Sequence, residues 1–137
     1  MPILHTRVPD VQQQTVYPIG LAAGPAAAAA ATERAIAVMP RNVKVIACRV
    51  FPDTAIAQDA GDPSVLTIQV GATVIGTADN SGAGGITLAA GASLTLDAAE
   101  VDLDSGDEIK FVATNPGAGA QDLSSTAFSG YITVEPR

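Results

Sequence analysis

The sequence predicts an all-β chain: two packed antiparallel sheets forming a β-sandwich, preceded by an extended N-terminal arm. Three observations carry this expectation. From Thr32 onward, short β-branched runs are separated by clusters of Gly, Pro, Asn and Asp, the punctuation of a sandwich or barrel. In the last third, apolar and polar residues alternate with the two-residue period of half-buried strands. The length of 137 residues suits one domain with a real core and is too short for two.

The elements follow in chain order. Residues 1–31 differ from the rest. Met1 to Gln14 is polar with scattered apolar residues, and Leu21 to Ala31 (LAAGPAAAAAA) is a low-complexity run. Alanine favours helix, yet this run has no large apolar face to dock and contains Gly24-Pro25, so it reads as a tether or short helix. It is a poor secretory signal, because no charged start lies directly before it and Gln12, Gln13 and Gln14 interrupt the approach. No window approaches the roughly eighteen strongly apolar residues of a membrane span.

The first strand is expected over Glu33 to Met39, stopped by Pro40-Arg41-Asn42. Val43 to Phe51 (VKVIACRVF) is almost continuously apolar, broken by Lys44 and Arg49. That pattern predicts a strand buried on most of both faces, with one face at a subunit contact. Pro52-Asp53 ends it, and the loop Thr54 to Pro63 leads to Ser64–Val70 and Thr73–Thr77, joined by a tight Gly71-Ala72 turn. The Gly-rich loop Asp79 to Gly85 precedes expected strands at Ile86–Ala89 and Ser93–Asp97. Ile109, Phe111 and Ala113 then alternate with Glu108, Lys110 and Val112, and after the long loop Asn115 to Ser125 the terminal strand sets Phe128, Ile132 and Val134 against Ser129, Tyr131 and Thr133. Roughly eight strands result, a number that suits two packed sheets. With aromatics at 4% and no Trp, the core must be built from Val, Ile and Leu, with Phe51, Phe111 and Phe128 as its largest pieces.

Composition narrows function. Seven basic against fourteen acidic residues give a net charge of −7, which disfavours nucleic-acid binding by phosphate neutralisation. The charge is divided along the chain. Residues 1–50 hold Arg7, Arg34, Arg41, Lys44 and Arg49 against Asp10 and Glu33, whereas the remainder is strongly acidic. Such a polarity suits a chain that docks with one part and faces solvent with the other.

Candidate chemistry is sparse. His5 stands in the N-terminal segment, far in sequence from any acidic cluster, which suits no nucleophile–His–acid arrangement. Cys48, mid-strand and single, predicts a buried packing residue and leaves no disulfide or multi-cysteine zinc site. The stretch Asp102 to Glu108 (DLDSGDE) partly echoes a calcium loop, but Ser105 fills its middle and Ala113 stands where the distal Glu belongs. It reads better as structure, with Leu103 plugging the core and Ser105-Gly106 turning the chain. Asp79 to Gly85 lacks the following Lys and helix of a phosphate loop. No metal or other cofactor is therefore expected. Tyr17 and Tyr131 are too few for a nucleic-acid or sugar platform, although a single exposed Tyr can anchor a protein interface.

The segment Arg34 to Val70 resembles the capsid decoration, or cement, proteins of tailed bacteriophages. The resemblance rests on Val38-Met39-Pro40, the strand Val43 to Val50, Phe51-Pro52-Asp53-Thr54-Ala55-Ile56 and Val65 to Val70. Leu94-Thr95-Leu96, Leu103 to Ile109 and Phe111-Val112 are similar to the same family's closing passage, so about residues 32–135 are covered. The resemblance implies a sandwich of jelly-roll type, assembled as a homotrimer, that sits on the outer surface of a virion and clamps major capsid subunits after synthesis in the host cytoplasm. Such a clamp needs no catalytic residue and no membrane. On this view residues 1–31 are an arm that orders on binding, with Val8, Val11, Val16, Tyr17, Ile19 and Leu21 as apolar anchors and Arg7 as a charge contact. Deleting residues 1–20 is then expected to spare the fold and weaken capsid binding. Two other functions stay open: a ligand- or carbohydrate-binding sandwich, for which aromatics are scarce, and an enzyme pairing Asp59 or Asp62 with Asp104 or Asp107 from separate loops.

Overall fold

A computed structural model describes residues 14–21, 31–114 and 126–137. Arg7, Val8, Val11, His5, most of the Ala run and the loop 115–125 lie outside the described residues. Ten strands are present among them: β1 (Thr15–Leu21), β2 (Ala31–Val38), β3 (Val43–Pro52), β4 (Val65–Val70), β5 (Thr73–Asp79), β6 (Ala92–Ser93), β7 (Thr95–Leu96), β8 (Asp102–Leu103), β9 (Glu108–Thr114) and β10 (Phe128–Pro136). One sheet, A, runs β1-β10-β3, with β6 and β8 both pairing the far side of β3; the other, B, runs β2-β9-β4-β5-β7. All pairings are antiparallel. The protein is a two-sheet β-sandwich, as the turn spacing predicts.

The connectivity explains why the core is shared evenly. Apart from the β4–β5 hairpin, every successive strand lies in the opposite sheet from its predecessor. The hairpin turns at Gly71-Ala72, with Gly71 at φ 59°, a conformation that glycine adopts without a Cβ clash. Between the sheets lie Val45, Cys48, Val50 and Ile132 from sheet A against Leu66, Ile68, Ile109 and Phe111 from sheet B, all buried. Phe111 meets Phe128 edge to face across the gap, with ring centroids 5.6 Å apart, a geometry that adds about 1 kcal/mol to their area burial.

Several expectations need correction. The strand expected at Ile86–Ala89 is reduced to a single bridge between Ile86 and Ile56, followed by a turn. The expected Ser93–Asp97 strand is two short pieces, because the chain passes from sheet A to sheet B at buried Leu94. Phe51 is not a core residue: it is half-buried on the outer face of sheet A.

The segment that the sequence pattern places in the arm divides differently. Thr15–Leu21 is a full edge strand paired with β10 from Thr15↔Val134 to Leu21↔Phe128. Ile19 and Leu21 are in the core, and Tyr17 packs against it. Pro18 and Gly20 disguise this strand in the sequence, since both are disfavoured inside sheets; Pro18 is accommodated because β1 is an edge. Deleting residues 1–20 therefore removes most of a core-forming strand, so the fold should not be spared.

Candidate docking face

The two outer faces of the sandwich can be read from the registers, since residues directly opposite in antiparallel strands share a face. On sheet A three rows cross β1, β10 and β3: Gly20–Ser129–Phe51, Pro18–Tyr131–Arg49 and Val16–Thr133–Ala47, with Ser93 beyond Arg49. Arg49 is the only charged residue in these three rows; the next row of the same face, Glu135–Lys44–Asp102, is charged throughout. Val16 is 58% exposed, and Tyr131, Ala47, Arg49 and Phe51 are half-buried. Leu88, 59% exposed, belongs to the turn that abuts this face.

Arg49 is held by its neighbours. Its guanidinium carbon lies 5.3 Å from the centroid of the Phe51 ring, a cation–π contact. One terminal nitrogen donates to the Ala90 carbonyl, while Nε is screened from solvent and has no acceptor among the described residues. Two glycines make this packing feasible. A Cβ on Gly130 would stand 2.1 Å from the Arg49 carbonyl oxygen, and one on Gly91 would stand 2.6 Å from the Phe51 ring. Both distances are far inside van der Waals contact, so β10 and the 87–91 turn approach β3 only because no side chain intervenes.

The outer face of sheet B is mixed: exposed Val38 and Val74 stand beside polar side chains that pair with one another. Its rows are Glu33–Val112–Thr67–Thr77–Thr95 and Ala35–Lys110–Gln69–Val74. Lys110 Nζ meets Glu33 at 3.1 Å, and Gln69 Nε2 donates to Thr67 at 2.8 Å.

The open side of the sandwich, where β1 and β2 run side by side, carries a cleft of about 330 Å³ lined by Pro18, Ile19, Gly20, Arg34, Ala35 and Ile36. Both edges resist strand addition. Pro18 interrupts β1, and β2 carries charged Glu33 and Arg34 and a bulge between Ala35 and Ala37, the usual means of blunting an exposed edge.

The residues singled out for chemistry have other employment. Burial pushes the Cys48 thiol up to about 12. Asp104 pairs with Arg137 at 2.5 Å, Asp107 accepts from the Asp104 amide at 2.9 Å, and Gly106 turns the chain at φ 95°. The loop 79–85 is pinned by hydrogen bonds. Buried Asn80 accepts from the Ser64 amide and donates to the Ala57 carbonyl, both at 2.7 Å. The Ser81 hydroxyl and amide donate to Asp79 and hold its carboxyl below the ordinary range. Asp62 precedes β4 where Val65 faces Thr114, whereas Asp107 precedes β9 where Ile109 faces Val70. These loops are at opposite ends of the sheet, some five residues of strand or about 17 Å apart, so the fold does not bring Asp59 or Asp62 to Asp104 or Asp107.

Of the proposed arm contacts, Val16 stands on the outer face of sheet A, whereas Tyr17, Ile19 and Leu21 point inward. Arg49 and Phe51 stand at the middle of this face, outside the contacts expected from the sequence. Their signal was present in the strand Val43 to Phe51, which is too apolar for one face to be freely solvated.

The class of protein defined by this geometry is a small β-sandwich with one blunted open side, one outer face whose polar side chains pair with one another and one outer face with a cluster of apolar residues around an arginine. Comparison places that architecture among known structures. The chain is similar in fold to a chain in the structure titled "Cyanophage Pam1 capsid asymmetric unit", with a TM-score of 0.58 and 13% sequence identity, over 90% of this chain and 85% of that one. No protein-family model matches, and no curated protein matches.

Proposed function

We propose that this chain is a structural protein of a bacteriophage virion that decorates the outer capsid surface and stabilises it by binding major capsid subunits, without catalysis. The observation that carries this reading is the fold likeness to a chain of a cyanophage capsid, which takes in nearly the whole of both chains. A fold can host many functions, so the support is strengthened by what the surface offers: a rigid scaffold, a pinned set of loops and an apolar outer face. We read the strand order, with nearly every connection crossing between sheets, as the jelly-roll type that the sequence resemblance implies. Homotrimeric assembly, location on the virion exterior and contacts from Arg7, Val8 and Val11 belong to the same proposal.

The test is to mix the purified protein with capsids that lack it, sediment them, and heat the decorated and bare shells. Saturable co-sedimentation and a higher disruption temperature are expected. Absence of binding at micromolar protein overturns the reading.

A further inference from the structure

We infer that the outer face of sheet A is the surface that seats on the partner, and that the partner presents a carboxylate framed by apolar side chains. The inference rests on the capsid-binding reading and specifies which surface performs it. Arg49 is the single charge among Val16, Pro18, Ala47, Phe51 and Tyr131. Arginine and tyrosine at the centre of an apolar patch are the commonest anchors of protein interfaces. The Phe51 ring and the Ala90 carbonyl already hold the guanidinium, so little of its freedom remains to be lost on binding.

Charge favours an acidic partner. A two-fold contact of this face with itself about an axis at Arg49 would set one Arg49 against another, and like charges at the centre of an interface are unfavourable. A carboxylate meets the guanidinium with a charge-assisted hydrogen bond in a surround that excludes water. The alternative routes are weaker. Both open edges are blunted against strand addition, and the face of sheet B satisfies Lys110, Glu33, Gln69 and Thr67 internally.

The experiment compares occupancy on bare capsids for the full-length protein and three variants. Arg49→Glu reverses the central charge. Gly20→Trp raises a bulky side chain from the same face at a position where an added Cβ meets nothing within 4 Å, so the fold should survive. Thr77→Trp places an equivalent obstacle on the exposed outer side of sheet B. Thermal melting establishes that each variant is folded, and Gly20→Trp keeps the test decisive should Arg49→Glu unfold. At least tenfold weaker binding is expected for Arg49→Glu and Gly20→Trp, with Thr77→Trp unchanged and wild-type affinity falling as salt rises. Wild-type binding that Gly20→Trp leaves intact overturns the inference alone. Loss with Thr77→Trp instead assigns docking to sheet B and also overturns it. If light scattering shows that Gly20→Trp dissolves an oligomer while capsid occupancy is unchanged, the face joins copies of this chain and the inference falls. A wild-type protein that does not bind capsids removes both the inference and the reading beneath it.

Discussion

The outer faces of the two sheets share one scaffold and differ in how they are finished. On sheet B, Lys110 and Glu33 close over the β2–β9 pair and Gln69 donates to Thr67, leaving a surface whose polar groups answer one another. On sheet A, a single arginine lies on an aromatic ring amid Val16, Pro18, Ala47 and Tyr131, and one of its nitrogens has no acceptor among the described residues. A solvated face can be finished by its own side chains. A face left with an oriented cation and half-buried apolar groups is suited to completion by a second surface.

The comparison can be broken most severely at the backbone. Gly130→Ala would drive a Cβ to 2.1 Å from the Arg49 carbonyl, forcing β10 away from β3. A loss on the order of 4 kcal/mol or more is expected by urea denaturation, and a near-neutral result would mean that the two strands are not this close. Next, Phe128 and Phe51 separate the inside of sheet A from its outside. Phe128→Ala should cost about 3–5 kcal/mol as a core truncation, whereas half-buried Phe51→Ala should cost about 1 kcal/mol. Equal losses in denaturant melts would return Phe51 to the core.

Cys48 and Arg49 are adjacent in sequence and lie on opposite faces. The folded thiol titrates near 12 against an ordinary 9.0 because burial disfavours the thiolate. The unfolded chain loses that proton first as pH rises. The stability associated with the protonated thiol is therefore complete below about pH 9 and lost progressively up to about 12. Cys48→Ala should flatten this alkaline fall, and the wild-type thiol should resist a thiol reagent at pH 8 until denaturant is added. Rapid labelling of the native protein would place Cys48 at the surface. The smallest effect is expected on sheet B: Lys110→Ala should change stability by about 0.5 kcal/mol and leave capsid occupancy unaltered, checked by melting and co-sedimentation.

Much of this architecture was legible. The hairpin at Gly71-Ala72, the alternation of β9 and β10 and the structural use of Leu103 and Gly106 all follow from period and turn chemistry. Strand β1 was obscured by Pro18 and Gly20, although Tyr17, Ile19 and Leu21 keep the two-residue period. The anchoring of the Asp79–Gly85 loop by Asn80 has no local signal, because its partners Ser64 and Ala57 are 16 and 23 residues away. The outer face of sheet A was legible only as an excess of apolar residues in β3, without the side on which each would fall.

The sequence by itself determined the class, because short β-branched runs divided by Gly, Pro, Asn and Asp can bury their apolar faces only in packed sheets. It also determined a core poor in aromatics. What the tertiary structure alone decided is which way β3 faces. Uninterrupted alternation would put Val43, Val45, Ala47, Arg49 and Phe51 on one side. The register instead skips Ile46, with Val134 opposite Val45 and Thr133 opposite Ala47. That one extra residue turns Cys48, Val50 and Pro52 inward and Arg49 and Phe51 outward, because every residue beyond a bulge changes faces. The bulge is a property of β3 against β10, more than eighty residues away in sequence, and only their pairing reveals it.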